Sequence, residues 1–273
     1  MSEPSSALVP REGWHVLHLY YKIEYGQWSL FGADEKLRAK TEFSALVQEI
    51  RAAEETQLLT FSVVSPKADI GLMLLTPDLH AANAFEKRLT QALGPDVLTP
   101  VFSFFSLTEL SEYTSSNEEY AKALAEEKGL PVDSPEIATA VEQYGARMAK
   151  YNRDKLYPNL PGWPLICFYP MSKRRAVGQN WYSLPFPERK KLMSGHGRLG
   201  RQWHGKILQL ITGATGLDDE EWGVTLFAHN STDIKEIVYQ MRFDPASAEY
   251  AEFGEFYIGL QLPLDELFRR VQL

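Results

Sequence analysis

Trp14–Tyr25 reads WHVLHLYYKIEY, and its density of β-branched, aromatic and leucine side chains predicts a strand. The elements after that strand decide the fold. Phe43, Leu46, Val47 and Ile50 recur at the i, i+3, i+4, i+7 spacing of an amphipathic helix. Leu59, Phe61 and Val63 then alternate with polar neighbours, and after Ser65-Pro66 an apolar run covers Ile70 to Leu75, so two strands of a hairpin are expected. Thr76-Pro77-Asp78 offers an N-cap with proline at the first helical position; Phe85, Leu89 and Leu93 line one face of a second helix, which Gly94-Pro95 ends. VFSFFSL, from Val101, supplies a closing strand. The order is β-α-β-β-α-β, the split βαβ unit of ferredoxin-like domains.

The same order returns later in the chain. PLICFYP (164–170) predicts a strand, Phe186 to Gln202 a helix, Lys206 to Thr212 and Trp222 to Ala228 two strands, Asp233 to Met241 a helix, and Phe253 to Leu262 a last strand. Asp233 with Glu236 resembles a capping box for that second helix. The halves share a pattern, with no obvious identity of sequence. Residues 1–12, rich in Ser, Pro and Glu, are expected to form a disordered tail, with order starting near Trp14. The remaining boundaries fall at 13–110 for the first half, 111–154 for an insertion with helices over Asn117–Lys128 and Pro135–Lys150, and 155–273 for the second half. Two sheets, each covered on one face by its own helices, each keep one bare apolar face, and pressing them together buries both. The expected fold is α+β: two ferredoxin-like halves forming a pseudo-symmetric α+β barrel.

Composition narrows the function classes. With 273 residues, 44% hydrophobic and 23% charged, the chain can bury a real core. Its 28 Lys and Arg against 36 Asp and Glu leave a net charge of −8, which argues against nonspecific nucleic-acid binding. The single cysteine, Cys167, excludes an intramolecular disulfide and any zinc site needing two thiolates, and it fits a reducing compartment. A leader with a basic stretch before an apolar one is not evident, and no 18 apolar residues run together, so a cytoplasmic protein without a membrane span is expected.

Charge is concentrated in one place. Between Met171 and Lys206 nine basic residues stand against one acid, Glu188, a local +8 that leaves −16 for the rest. A solvated basic helix face is one reading of such a run. The run starts at a strand end, FYPMSKRR, and mixes Trp181, Tyr182, Trp203, His196 and His204 with the cations, which suits a flat anionic ligand. Of the six histidines, His15 and His18 read as hydrogen-bonded sheet residues and His80 as a surface residue. His196 sits in Ser194-Gly195-His196-Gly197, where the glycines permit close approach of something bulky. HExxH, GxSxG and phosphate-cradle motifs are missing, so hydrolase and kinase readings lack their chemistry.

YPMSKRR, NWYSLPFPERKKLMSGHG, GKILQLITGATGLDDEEWGVTLFAH and VYQMRFDPASAEYAEFGEFYIG, covering most of residues 155–259, resemble the coproheme decarboxylases of the chlorite dismutase superfamily. Gly13-Trp14 with Leu17-His18, and LTELSEY ending at Tyr113, agree more weakly, and the insertion is longer than in the family. The resemblance implies two ferredoxin-like halves in a barrel, a homo-oligomer such as a pentamer, and transient contact with the iron-inserting ferrochelatase. It implies oxidative removal of two carboxyl groups from the propionates of iron coproporphyrin III by hydrogen peroxide, giving haem b through a three-propionate intermediate. On this resemblance His196 is the iron ligand, Tyr169 the radical-forming catalytic tyrosine, and Lys173 the cation that holds the reacting propionate or manages protons there. Even spacing on a strand puts Tyr169, Met171 and Lys173 on one face. Met171 packs on the porphyrin; Arg242 and Ser247 match propionate-holding positions; Tyr113 is within reach of a propionate; Trp181 is a second radical site or a core residue. Gln209 matches the distal position, where chlorite dismutases need arginine, and points to the Gln-type decarboxylases.

Two departures from the family pattern stand out. Lys155, in KLYPNLP, replaces an expected arginine and loses bidentate carboxylate geometry. Glu220, in DDEEWG, replaces a common aromatic residue, so a more polar proximal side is expected. The competing readings are a haem peroxidase or chlorite-degrading relative, a non-catalytic haem-binding or haem-delivery protein, and nucleic-acid binding through a solvent-facing basic segment.

Overall fold

A computed structural model of the protein describes residues 7–273. The first half contains β1 (His15–Ile23), α1 (Tyr25–Ser29), α2 (Ala33–Ala52), β2 (Gln57–Val63), β3 (Ile70–Thr76), α3 (Leu79–Gln91) and β4 (Leu98–Thr108). Two helices, α4 (Asn117–Lys128) and α5 (Pro135–Leu156), link it to the second half. There β5 (Leu165–Lys173) leads into a small hairpin, β6 (Arg175–Ala176) and β7 (Gln179–Asn180), a 3-10 turn (Trp181–Ser183) and α6 (Phe186–Arg201). The chain continues through β8 (Ile207–Gly213), β9 (Trp222–Ala228), α7 (Ser231–Met241), α8 (Pro245–Ala248), β10 (Ala251–Phe253), β11 (Tyr257–Gln261) and α9 (Leu264–Arg270).

Each half orders its strands in the same way, β2-β3-β1-β4 and β8-β9-β5-β11, with antiparallel neighbours throughout. Two seams join them. Leu107 pairs with Gly213 across β4 and β8, and Gly259 with Val63 across β11 and β2, which closes the sheet into a barrel. Both seams are short, two paired positions between β4 and β8 and three between β11 and β2. The expected pseudo-symmetric α+β barrel is the observed architecture.

Alternation along β1 explains how one strand serves two cores. Val16 and Tyr20 point into the barrel, with Phe61, Met73 and Phe104 from the same half and Ile166, Phe168, Phe227 and Tyr257 from the other. Leu19, Tyr21 and Ile23 point outward, under α2 and α3. The Phe61 ring lies where a side chain on Gly259 or Gly71 would stand, so those two positions need glycine for the ring to sit flat on the sheet.

Outside the barrel the halves diverge. α2 buries Ala39, Phe43, Leu46, Val47 and Ile50 on its sheet. The element at the same place in the second half, α6, buries none of its side chains. Its sequence, FPERKKLMSGHGRLGR, carries glycines and cations where α2 carries an apolar stripe. The space that the first half fills with core stays open in the second.

Several local expectations are corrected. Asp78, not Thr76, caps α3, accepting from the His80 N–H at 3.1 Å, because Thr76 is held in the β3 ladder and Pro77 precedes the helix. Asn230 caps α7, accepting from the Thr232 N–H at 2.9 Å, so Asp233 belongs to the first turn and makes no capping box. α5 runs to Leu156, past the expected end at Lys150, because Thr108 Oγ donates to the Leu156 carbonyl at 2.7 Å and docks the helix end on β4. The last strand is split in two, with Gly254–Phe256 between β10 and β11. α1, β6, β7, α8 and α9 are too short to show a period in the sequence. Within the segment expected as a tail, residues 1–6 lie outside the described residues, and Leu8 bonds the Asp78 carboxylate and the Leu79 N–H.

Candidate functional site

The open space between α6 and its sheet is a cavity of about 2380 Å³ that extends under α4 and α5. It exceeds the several hundred cubic ångströms of an ordinary small-molecule pocket. Tyr169, Met171 and Lys173 reach it from β5, Gln209 from β8, His196 from α6, and Trp181, Ser247, Lys155 and Tyr113 from the surrounding turns and helix ends. Arg242 is exposed and does not line the cavity; its guanidinium stacks 3.8 Å from the ring of Phe253, which does.

The parity of β5 sets one wall. Ile166 and Phe168 face the barrel interior, which turns Cys167, Tyr169, Met171 and Lys173 the other way. Tyr169 is buried and stacks on Phe256 with ring centroids 4.3 Å apart. Burial raises the phenol's pKa, the Cys167 thiol adds to that, and the Arg242 charge works against it. Cys167 itself is pushed up to about 12 by burial, so it is an inert thiol rather than a nucleophile.

Lys173 is a buried cation at the end of the same face. Its Nζ donates to the Ala246 carbonyl at 3.0 Å and lies 4.3 Å from the Trp181 ring. Burial lowers its pKa to about 8, against the pull of Asp244 and Glu221, which favour the charged form. Trp181 is almost fully buried and meets Tyr250 and Tyr113 edge-on or tilted at 5.4 and 6.3 Å.

His196 carries the metal-ligand chemistry. His196 Nδ1 lies 2.9 Å from Asp244 Oδ2, with Ser247 Oγ at 3.5 Å. Asp244 is buried and is also the N-cap of α8, where it accepts from the Ser247 N–H. An ionised carboxylate can only accept, so Nδ1 carries the proton and Nε2 keeps the lone pair with which an imidazole binds a metal. Such a histidine, on a helix without bulky neighbours at Gly195 and Gly197, fits a haem-type iron.

Gln209 lies across from α6. A Cβ placed on Gly200 would stand 3.4 Å from Gln209 Nε2 and 3.4 Å from the Met241 methyl, so the glycine leaves room for both side chains. Lys155, in the last turn of α5, is 5.4 Å from the Tyr151 ring and near Glu109. The Tyr113 ring stacks on Phe186. Glu220 does not line the cavity but lies beside Gly254, so the polar proximal side expected of it does not arise there. The basic segment does not form one solvated face either: Lys173 is buried, and Lys190 and Arg189 of α6 pair with Glu119 and Glu112 at 2.7 and 4.0 Å. His15 and His18 are sheet histidines, bonded to the Pro77 carbonyl and the Thr225 hydroxyl at 3.1 and 2.9 Å.

Sequence reasoning missed two acids. Asp244 carries a usable signal, because Asp-Pro in FDPAS is the cap and first position of a helix. Glu221 carries none, standing fourth in the run Asp218-Asp219-Glu220-Glu221 with nothing to mark which member is buried.

The chlorite dismutase family model matches residues 36–262. Among solved structures the chain is similar to a haem-binding protein from Thermus thermophilus, at 36% identity and a TM-score of 0.79, over 100% of this chain and 99% of that one. It also superposes on chlorite dismutase from Candidatus Nitrospira defluvii in complex with imidazole, at 15% identity and a TM-score of 0.70, over 97% of each chain, a likeness of fold. Among the described residues no helix is long and apolar enough to cross a membrane. With more than four fifths of its length under that family model, the chain belongs to the chlorite dismutase family.

Proposed function

We propose that the protein is a hydrogen peroxide-dependent coproheme decarboxylase, which converts two propionates of iron coproporphyrin III to vinyl groups and yields haem b. The observation that carries this reading is the pairing of a buried phenol, Tyr169, with a buried ammonium, Lys173, on one strand face, lining the same cavity as an imidazole whose Nδ1 is already engaged. The haem-binding relative from Thermus thermophilus supports a porphyrin as the ligand class.

His196 would hold the iron, which with peroxide supplies the oxidising power. Each decarboxylation consumes one peroxide and one proton and releases one carbon dioxide and two waters. Tyr169 gives up an electron and its phenolic proton, and the resulting radical takes a hydrogen atom from the propionate β-carbon. Loss of carbon dioxide and one further electron from that carbon chain leaves the vinyl group. Burial suits Tyr169 to this, since a phenol kept protonated transfers its proton and electron together. Lys173 pairs with the reacting carboxylate and is a source of the proton consumed. Ser247, Lys155 and Tyr113 would hold propionates, while Arg242, outside the cavity lining, backs the Phe253 ring that faces it; Met171 and Trp181 would pack on the macrocycle, and the neutral Gln209 lacks the charge an anionic oxidant such as chlorite calls for.

Adding iron coproporphyrin III, then peroxide in steps, and following the porphyrins by mass spectrometry tests the proposal. Two successive losses of one carboxyl and one hydrogen are expected; bleaching without a decarboxylated product overturns it. A second reading, a haem carrier without catalysis, has the haem-binding relative in its favour. It needs no phenol at position 169, so Tyr169→Phe separates the two.

A further inference from the structure

The end of β5 that carries Lys173 is paired by β10 on one side, Ala251 opposite Lys173, but extends beyond β9 on the other. β9 begins at Trp222, opposite Met171, and one residue earlier the Glu221 carbonyl turns away to accept from the Ala214 N–H at 2.8 Å. No β9 carbonyl is left for the N–H of Lys173, and a buried N–H without an acceptor is rare in folded proteins. Glu221 supplies the acceptor from its side chain, with Oε2 2.7 Å from the Lys173 nitrogen. Its own N–H donates to the Met171 carbonyl at 3.1 Å and to Ser172 Oγ at 3.2 Å.

The same carboxylate reaches the other pieces around Lys173. Oε1 is 4.0 Å from the Arg175 guanidinium in the β6–β7 hairpin, and the Glu221 carboxylate is near enough to the Tyr182 phenol in the 3-10 turn to add to the rise that burial gives its pKa. Trp181, the neighbour of Tyr182, places its ring 4.3 Å from the Lys173 ammonium. The Glu221 side chain is only 7% exposed, so its charge acts through protein rather than water.

We propose that Glu221 is a positioning residue for Lys173: it completes the ladder that fixes the end of β5 and, with Asp244, supplies the negative charge against which the ammonium is buried. The proposal rests on the role given above to Lys173 for its functional meaning, and on the geometry alone for its physical content. The charged groups around Lys173 are Glu221 before β9, Asp244 at the cap of α8, and Arg174 and Arg175 in the hairpin; both acids favour the ammonium against its burial.

The test uses the full chain without porphyrin, so a failed decarboxylation assay leaves it readable. Lysines are dimethylated with ¹³C-formaldehyde and titrated by NMR, Lys173 being assigned by the signal missing in Lys173→Arg. Glu221→Gln keeps an acceptor for the backbone N–H and removes the charge; the Lys173 midpoint is expected to fall by roughly one pH unit. Glu221→Asp, which keeps the charge, is expected to recover most of that difference. An unchanged midpoint in Glu221→Gln overturns the proposal. In the unmodified protein, hydrogen exchange at the Lys173 amide is expected to be slow. Exchange there at the rate of a free amide overturns the proposal whatever the variants do.

Discussion

Nδ1 of His196 and Oδ2 of Asp244 lie 2.9 Å apart although 48 residues separate them in the chain, because the cap of a four-residue helix is set against the middle of α6. The carboxylate orients the ring and raises its basicity as a ligand. Asp244→Asn keeps the shape but offers a neutral partner. Haem affinity, read by absorbance titration, is expected to fall roughly 10- to 100-fold. His196→Ala should go further and abolish the five-coordinate haem spectrum, and an unchanged spectrum there would place the ligand elsewhere.

Tyr169→Phe removes one oxygen from a buried, ring-stacked position and leaves the packing on Phe256 intact. Binding of iron coproporphyrin III is expected to stay within a few-fold of the parent while product formation stops. Haem b made at the parent rate by this variant would remove Tyr169 from the chemistry.

Lys173 is held at about 8, below the usual lysine value, by burial. In the free enzyme the ammonium is therefore lost as pH rises through that value, and kcat/KM, which reports free-enzyme ionisations, is expected to fall above about pH 8. Lys173→Arg, which stays charged, should carry the remaining activity across that range without the basic limb. A basic limb that survives in the arginine variant belongs to another group.

His18 ties stability to pH. It is fully buried in the barrel, and burial lowers its pKa to about 3 from the ordinary histidine value of 6.5. The unfolded chain thus takes up a proton below pH 6.5 that the folded chain refuses until near 3, so the stability tied to this residue is complete above 6.5 and lost as pH falls between those values. The loss approaches about 1.4 kcal/mol per pH unit once the unfolded histidine is fully protonated. Urea unfolding between pH 7.5 and 4.5 should show this slope in the parent and a flatter one, by that amount, in His18→Phe.

Gly200 of α6 faces Gln209 and Met241, each 3.4 Å from where its Cβ would stand. Gly200→Leu would fill the cavity there from a position that tolerates it on helix propensity, leucine being about 0.8 kcal/mol better than glycine in a helix interior. The expected result is a protein that melts no earlier than the parent yet no longer takes up porphyrin. Porphyrin uptake equal to the parent's would mean that the ligand does not pass between α6 and Gln209.

Much of this was legible in the order of residues. The i, i+3, i+4, i+7 stripe from Phe43 to Ile50 lies under α2 as buried core, and Asn117 and Lys128 bound α4 as expected, with Ser116 and Glu119 completing a capping box. Long periodic elements show in sequence because one face of each is in water. The short ones do not: α8 spans Pro245–Ala248, too few residues to repeat, and β6 and β7 have two residues each. Of the candidate site, the shared face of Tyr169, Met171 and Lys173 followed from the two-residue period of a strand; the Asp-Pro pair marks Asp244 as a helix cap but not as a partner of His196, and nothing local marks Glu221.

The chain order by itself determined two β-α-β-β-α-β halves, and with them a closed barrel, since each half leaves an apolar sheet face that only the other can cover. Tertiary structure alone decided which half is hollow and which acids meet which bases. A helix that buries nothing looks in sequence like any solvated basic helix, and becomes one wall of a cavity only when α4, α5 and α8 are set around it. Charges from 48 residues away are brought within 3 Å by packing, and nothing in the local pattern of either segment records that meeting.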